Sequence, residues 1–161
     1  MFRLKYHLYC RGHVSANSRD ISFEIPGNTT VYGGFSPSNG AIDLGTRDFT
    51  TYPTILSGDI GLTGTTTDNT DTVVLITSNI GPILLDGLTI RDGSDYDFAA
   101  PDASAILIDN ALGGTNLTLN NCTVSNNESN LDDIMRAVGA NNTITINNSF
   151  LTDNQTNDGA I

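Results

Sequence analysis

Leu117-Thr118-Leu119-Asn120-Asn121-Cys122-Thr123-Val124 and Ile144-Thr145-Ile146-Asn147-Asn148-Ser149-Phe150-Leu151 superpose without a gap, and Ile83-Leu84-Leu85-Asp86-Gly87-Leu88-Thr89-Ile90 joins them. In each, aliphatic residues alternate with outward positions, a polar residue and Gly or Asn interrupt, and alternation resumes. Two earlier segments share the first half, Val31-Tyr32-Gly33 and Leu56-Ser57-Gly58. The turn column therefore reads Gly33, Gly58, Gly87, Asn121 and Asn148. Gly and Asn are the two residues for which a positive φ costs least. Two positions before each turn stands an aliphatic side chain: Val31, Leu56, Leu85, Leu119 and Ile146.

A second apolar run lies upstream in the later units, at Val73 to Ile76, Ala105 to Ile108 and Ile134 to Val138. Ile21-Ser22-Phe23-Glu24-Ile25 is its early counterpart. A unit of about 25–35 residues with two or three short strands cannot bury its apolar side alone. Stacking buries it, each strand pairing in parallel with its equivalent one coil away. Connections of this kind are overwhelmingly right-handed. The pattern predicts a right-handed parallel β-helix of about five coils over residues 21–161, with 1–20 an irregular or truncated N-terminal segment. An antiparallel sandwich also has short strands and frequent turns, but has no reason to keep turn identity and flanking apolar character in step. Leu131, Ile134, Met135 and Val138 have helical spacing; their place in the repeat favours a strand. Asn121 and Asn148 align as a short amide ladder.

Composition agrees. The 161 residues hold 18 Asn, 21 Thr and 16 Gly but a single Lys, Lys5, a strand-and-turn composition rather than a helical one. The net charge of −11 disfavours nucleic acid and anionic lipid as partners. No apolar run reaches the roughly 18 residues of a membrane-spanning helix, so membrane insertion by this segment is not expected. Cys10 and Cys122 cannot staple a miniature domain. Cys122, aligned with Leu88 and Ser149, reads as a small core residue.

The early coils carry a longer match. Val31-Tyr32-Gly33-Gly34-Phe35, then Arg47-Asp48, then Pro53-Thr54-Ile55-Leu56-Ser57-Gly58-Asp59-Ile60 resembles right-handed β-helix domains of large bacterial secreted and surface proteins, the pectin-lyase-like and polymorphic-outer-membrane-protein-like repeats. The later Asn-Cys-Thr and Asn-Ser-Phe units look like their repeats. The resemblance implies an extracellular or bacterial cell-surface location, although Arg3, Lys5 and His7 interrupt any apolar signal core near Met1. Gly159-Ala160-Ile161 reads as the first strand of another coil. The expectation is a fragment of a longer exported protein, with further coils of the parent chain as neighbours.

This architecture hosts adhesins, lyases, hydrolases and spacers alike. Enzymes of the resembled family place carboxylates and Arg or Lys, often with calcium, on outer strand faces. The column Asp86, Asn120, Asn147 holds one carboxylate. The column Asp92, Asn126, Asp153 holds two, about 10 Å apart by strand spacing, at the top of the range of roughly 6.5–9.5 Å for an inverting pair. With Arg91 beside them, Asp92 and Asp153 are the catalytic candidates of an enzyme reading, a polysaccharide lyase or glycoside hydrolase acting on acidic polysaccharide. As turn residues they would instead satisfy backbone N–H groups. Asp92, Asp95 and Asp97 crowd one loop as candidate calcium ligands, without the spacing of an EF-hand or a nonapeptide calcium repeat. Tyr96, Phe98 and Phe150 are candidate aromatics for stacking on sugar rings. The leading expectation is a non-catalytic structural or adhesive segment that needs no cofactor and contacts glycan or a host or cell-surface protein.

Overall fold

Where every second residue is aliphatic and turn formers recur every few positions, the chain forms short strands, each half-buried on one face. The computed structural model describes residues 12–15, 18–77, 81–96, 103–130 and 133–157. Its strands are β1 (Gly12–Ser15), β2 (Phe23–Glu24), β3 (Thr30–Tyr32), β4 (Thr54–Ser57), β5 (Val74–Ile76), β6 (Ile83–Asp86), β7 (Leu88–Arg91) and β8 (Ser94–Asp95). They continue as β9 (Ala103–Asp109), β10 (Asn116–Asn120), β11 (Thr123–Ser125), β12 (Glu128–Ser129), β13 (Asp133–Val138), β14 (Thr143–Asn147), β15 (Phe150–Thr152) and β16 (Gln155–Thr156).

Every pairing between these strands is parallel. They form four sheets, ordered β1-β4-β7-β11-β15, β14-β10-β6-β3, β16-β12-β8 and β13-β9-β5-β2. From β6 onward the chain visits the sheets in a fixed rotation, so β6, β10 and β14 are neighbours, as are β7, β11 and β15. The protein is all-β, its parallel strands lying in stacked sheets compatible with a β-helix-like fold.

Register carries the inward aliphatics into columns. Val31, Leu85, Leu119 and Ile146 are successive partners, as are Leu56, Ile90, Val124 and Leu151. Val74, Ile106 and Met135 form a third column. Leu85, Leu119, Ile90 and Val124 have no exposed surface. Each fully buried aliphatic of this size stabilises the fold by about 1.5–3 kcal/mol. Phe23–Glu24 pairs with β5 as the aligned apolar runs require, and the helically spaced run around Ile134 is strand β13.

Three sequence expectations are corrected. Gly33, Gly87, Asn121 and Asn148 share one corner, since β3, β6, β10 and β14 pair in that register. Gly58 does not share it: Ser57 pairs with Arg91, so Gly58 stands opposite Asp92 at the following corner. The excursion 34–53 between β3 and β4 displaces it, lending Gly33 and Gly58 a spacing that imitates one coil. Gly12–Ser15, read as part of an irregular terminus, is an edge strand on β4. The Asn121–Asn148 amide ladder is also replaced, because Asn121 Nδ2 donates to Asp86 Oδ1 at 3.0 Å.

Candidate functional site

Outer corners are where a stack of short coils can gather chemistry, because the side chains there stand one strand spacing apart. At the first corner Tyr32, Asp86, Asn120 and Asn147 form a column. Asp86 is only 5% exposed. Its Oδ1 lies 2.9 Å from Arg47 Nη2 and accepts from Asn121 Nδ2, while Oδ2 accepts from Asn120 Nδ2 at 3.0 Å. Arg47 Nη1 also donates to the carbonyls of Asp86 and Gly33. The guanidinium lies 5.1 Å from the centre of the Tyr32 ring and 5.7 Å from that of Phe49. The excursion after β3 thus folds back and closes this corner with an ion pair, satisfying the carboxylate that burial would otherwise penalise.

The second corner holds the catalytic candidates. Register places Asp92, Asn126 and Asp153 in one column beside Arg91, Ser125 and Thr152. All three corner residues have positive φ, 62°, 54° and 56°, the conformation of a turn residue. Asp92 Oδ2 accepts from Ser57 Oγ at 2.8 Å and lies 2.9 Å from Arg91 Nε, a close ion pair whose N–H points off the hydrogen-bonding direction. Asp153 Oδ2 accepts from Thr152 Oγ1 at 3.0 Å. The column is therefore real, but each carboxylate is bonded within its own corner or to the adjacent coil.

Of the loop carboxylates, Asp92 is engaged as above, Asp95 is 1% exposed within β8, and Asp97 lies outside the described residues. Among the described residues no three His, Cys, Asp or Glu side chains are grouped to hold a metal ion. Asp68 and Asp71 are structural too. Asp68 Oδ2 accepts the Leu62 N–H at 2.9 Å, and Asp71 pairs with Arg19, which also donates to the Thr67 and Asn69 carbonyls.

Phe150 points outward and is 70% exposed, in a column with Ile55, Thr89 and Thr123. Tyr96 is half-buried, its hydroxyl 3.4 Å from Thr66 Oγ1, and Phe98 lies outside the described residues. Cys122 faces the core, with Sγ donating to the carbonyls of Leu85 and Asn120, and burial raises its thiol pKa above the ordinary value.

The polar ladder lies elsewhere, one position past the second corner. Asn127, fully buried, accepts the Gly93 N–H through Oδ1 at 3.0 Å. Its amide donates to the carbonyls of Ile90 and Ser125 and to Asn154 Oδ1. Asn154 in turn donates to the Val124 carbonyl at 2.9 Å. The signal was present: Ser125-Asn126-Asn127-Glu128-Ser129-Asn130 matches Thr152-Asp153-Asn154-Gln155-Thr156-Asn157 at the same 27-residue offset. No known protein family, curated protein or solved structure matches this chain.

Proposed function

We propose that the chain is a right-handed parallel β-helix of about five coils, serving as a non-catalytic structural and adhesive segment of a secreted or cell-surface protein. The observation carrying this reading is the state of the outer carboxylates: Asp86, Asp92 and Asp153 are all bonded to the corners they build. A general acid or base needs a group free to reach substrate. What faces outward on the sheet containing β4, β7, β11 and β15 is a strip of Ile55, Thr89, Thr123 and Phe150. An exposed aromatic beside hydroxyls suits a sugar ring or a protein surface. The extracellular setting is supported by the resemblance of residues 31–35 and 53–60 to surface-protein repeats.

The test is incubation with acidic polysaccharides such as polygalacturonate, following unsaturated products by ultraviolet absorbance and new reducing ends by colorimetry. The expected result is no release above buffer. Product release that disappears in Asp92→Asn or Asp153→Asn overturns the reading in favour of an enzyme. Retention on immobilised glycans, reduced by Phe150→Ala, reads the adhesive part separately.

A further inference from the structure

The four sheets end together at β13, β14, β15 and β16, and no described strand lies beyond them. Among the described residues nothing covers the core at this end. Ile146 is 36% exposed, whereas Leu119 and Leu85, its partners in the same inward column, are at 0%. A hollow of about 570 Å³ lies against the two strands β13 and β14, lined by Asp133, Met135, Arg136, Ala137, Asn142 and Ile144.

The layer beneath shows how such an end is completed. Cys122 N–H donates to Ser149 Oγ at 2.9 Å, Asn127 N–H to Asn154 Oδ1 at 3.1 Å, and Thr115 N–H to Asn142 Oδ1 at 2.9 Å. Donor and acceptor are 27 residues apart in all three. The side chain from the following coil thus caps a backbone amide at each of three corners, and aliphatics at the intervening positions seal the core. One layer on, the amides of Ser149, Asn154 and Asn142 occupy the donor positions, facing the end where no described strand follows.

We propose that the face formed by β13–β16 is a docking surface for one more strand-forming coil of the same 27-residue pattern, with Asn or Ser at the three corner positions and aliphatics facing in. The surface continues an interface the protein already uses, between β9–β12 and β13–β16, and parallel edge strands recruit extended chain. The opposite end of a second copy fits less well. There the Ser149 column ends at Gly12, which has no side chain to accept an amide. The proposal rests on reading the chain as stacked coils, and its test is independent of the polysaccharide assay.

The experiment inserts a second copy of residues 131–157 after Asn157 in the full chain and follows amide hydrogen exchange. The expected result is that the amides of Asn142, Ser149 and Asn154 slow by at least about tenfold. An insert carrying alanine at the copied positions of Asn142, Ser149 and Asn154 is expected to lose that protection. Unchanged exchange with the first insert, or equal protection with the second, overturns the proposal. Where the extended chain does not fold, a synthetic peptide of residues 131–157 is added in excess to the unmodified protein; absence of protection then overturns it. Protection of these amides that rises with concentration in the unmodified protein assigns the end to a second copy and equally overturns it.

Discussion

Arg47 reaches across 39 positions of sequence to place Nη2 2.9 Å from Asp86 Oδ1, with the two side chains only 12% and 8% exposed. The excursion carrying Arg47 is therefore part of the stack rather than a loop hanging from it. It interrupts the repeat in sequence and restores it in space, because its guanidinium also binds the carbonyls of Gly33 and Asp86 on adjacent coils.

Arg47→Met leaves Asp86 as a buried carboxylate held by the Asn120 and Asn121 amides alone. Removing one partner of a buried pair costs about 3–5 kcal/mol, mostly from the charge left behind. The double variant Arg47→Met with Asp86→Asn removes that charge and is expected to regain part of the loss. Urea unfolding of the four proteins in a double-mutant cycle checks this. A single variant within about 1 kcal/mol of the parent would contradict the pairing.

Asn127→Ala removes a fully buried amide that joins three successive coils through Gly93, its own Ser125 carbonyl and Asn154. The Gly93 N–H and the Ile90 and Ser125 carbonyls then lose that partner, and each unsatisfied buried group costs about 1–3 kcal/mol. A loss of about 3 kcal/mol is expected in urea unfolding. Asn154→Ala, at a half-buried position, is expected to cost less. Equal losses at the two positions would mean that the ladder does not depend on burial.

The period, the aliphatic columns and the upstream strands were legible because each rests on local pattern: alternation of two and a left-handed turn residue. Gly87, Asn121 and Asn148 have the positive φ that turn chemistry predicts. Gly33 shares their corner without it and is glycine because a Cβ there would fall 2.2 Å from the Gly87 carbonyl oxygen. Gly58 was misplaced because Leu-Ser-Gly fits either corner and only the pairing of Ser57 with Arg91 distinguishes them. Strand β1 escaped notice because Gly12–Ser15 is too short to show alternation. At the site, the Asp92–Asp153 column was legible from alignment, but what the carboxylates bond to was not. Ser57 lies 35 positions from Asp92, and no spacing rule joins them. The Asn127–Asn154 ladder was missed because the aligned segment stopped at Val124 and Leu151, three residues short.

Gly93 marks a close approach of the chain to the backbone of its own coil. A Cβ there falls 1.9 Å from the carbonyl oxygen of Ser104, which accepts the Val73 N–H and cannot move without loosening that pairing. Gly93→Ala is expected to cost about 2–4 kcal/mol through this displacement, a large single-site effect. Gly87→Asn separates sterics from backbone preference. Its φ of 75° suits Asn, as Asn121 and Asn148 show one and two layers on, yet its Cβ would crowd Arg47 Nη1 at 3.0 Å. Thermal unfolding of both variants, with Gly87→Asn also measured in the Arg47→Met background, checks this. The cost of Gly87→Asn is expected to shrink when Arg47 is gone.

Cys122 makes stability depend on pH in the alkaline range. Burial raises its thiol pKa in the folded protein, whereas the unfolded chain titrates near the ordinary value of about 8.5. The folded state then binds the proton more tightly than the unfolded state, so stability falls with rising pH. The contribution is fully present below about pH 8.5 and is lost as pH climbs through the unfolded value toward the folded one. Comparing urea midpoints of the parent and Cys122→Ala between about pH 7 and 10 isolates this effect, because the other titrating groups are common to both. The parent's advantage is expected to be constant below about pH 8 and to narrow above it. In a Cys10→Ser background the remaining thiol should resist a disulfide reagent at neutral pH and react fully in urea. Rapid native reaction, or parallel pH profiles, would place Cys122 outside the core.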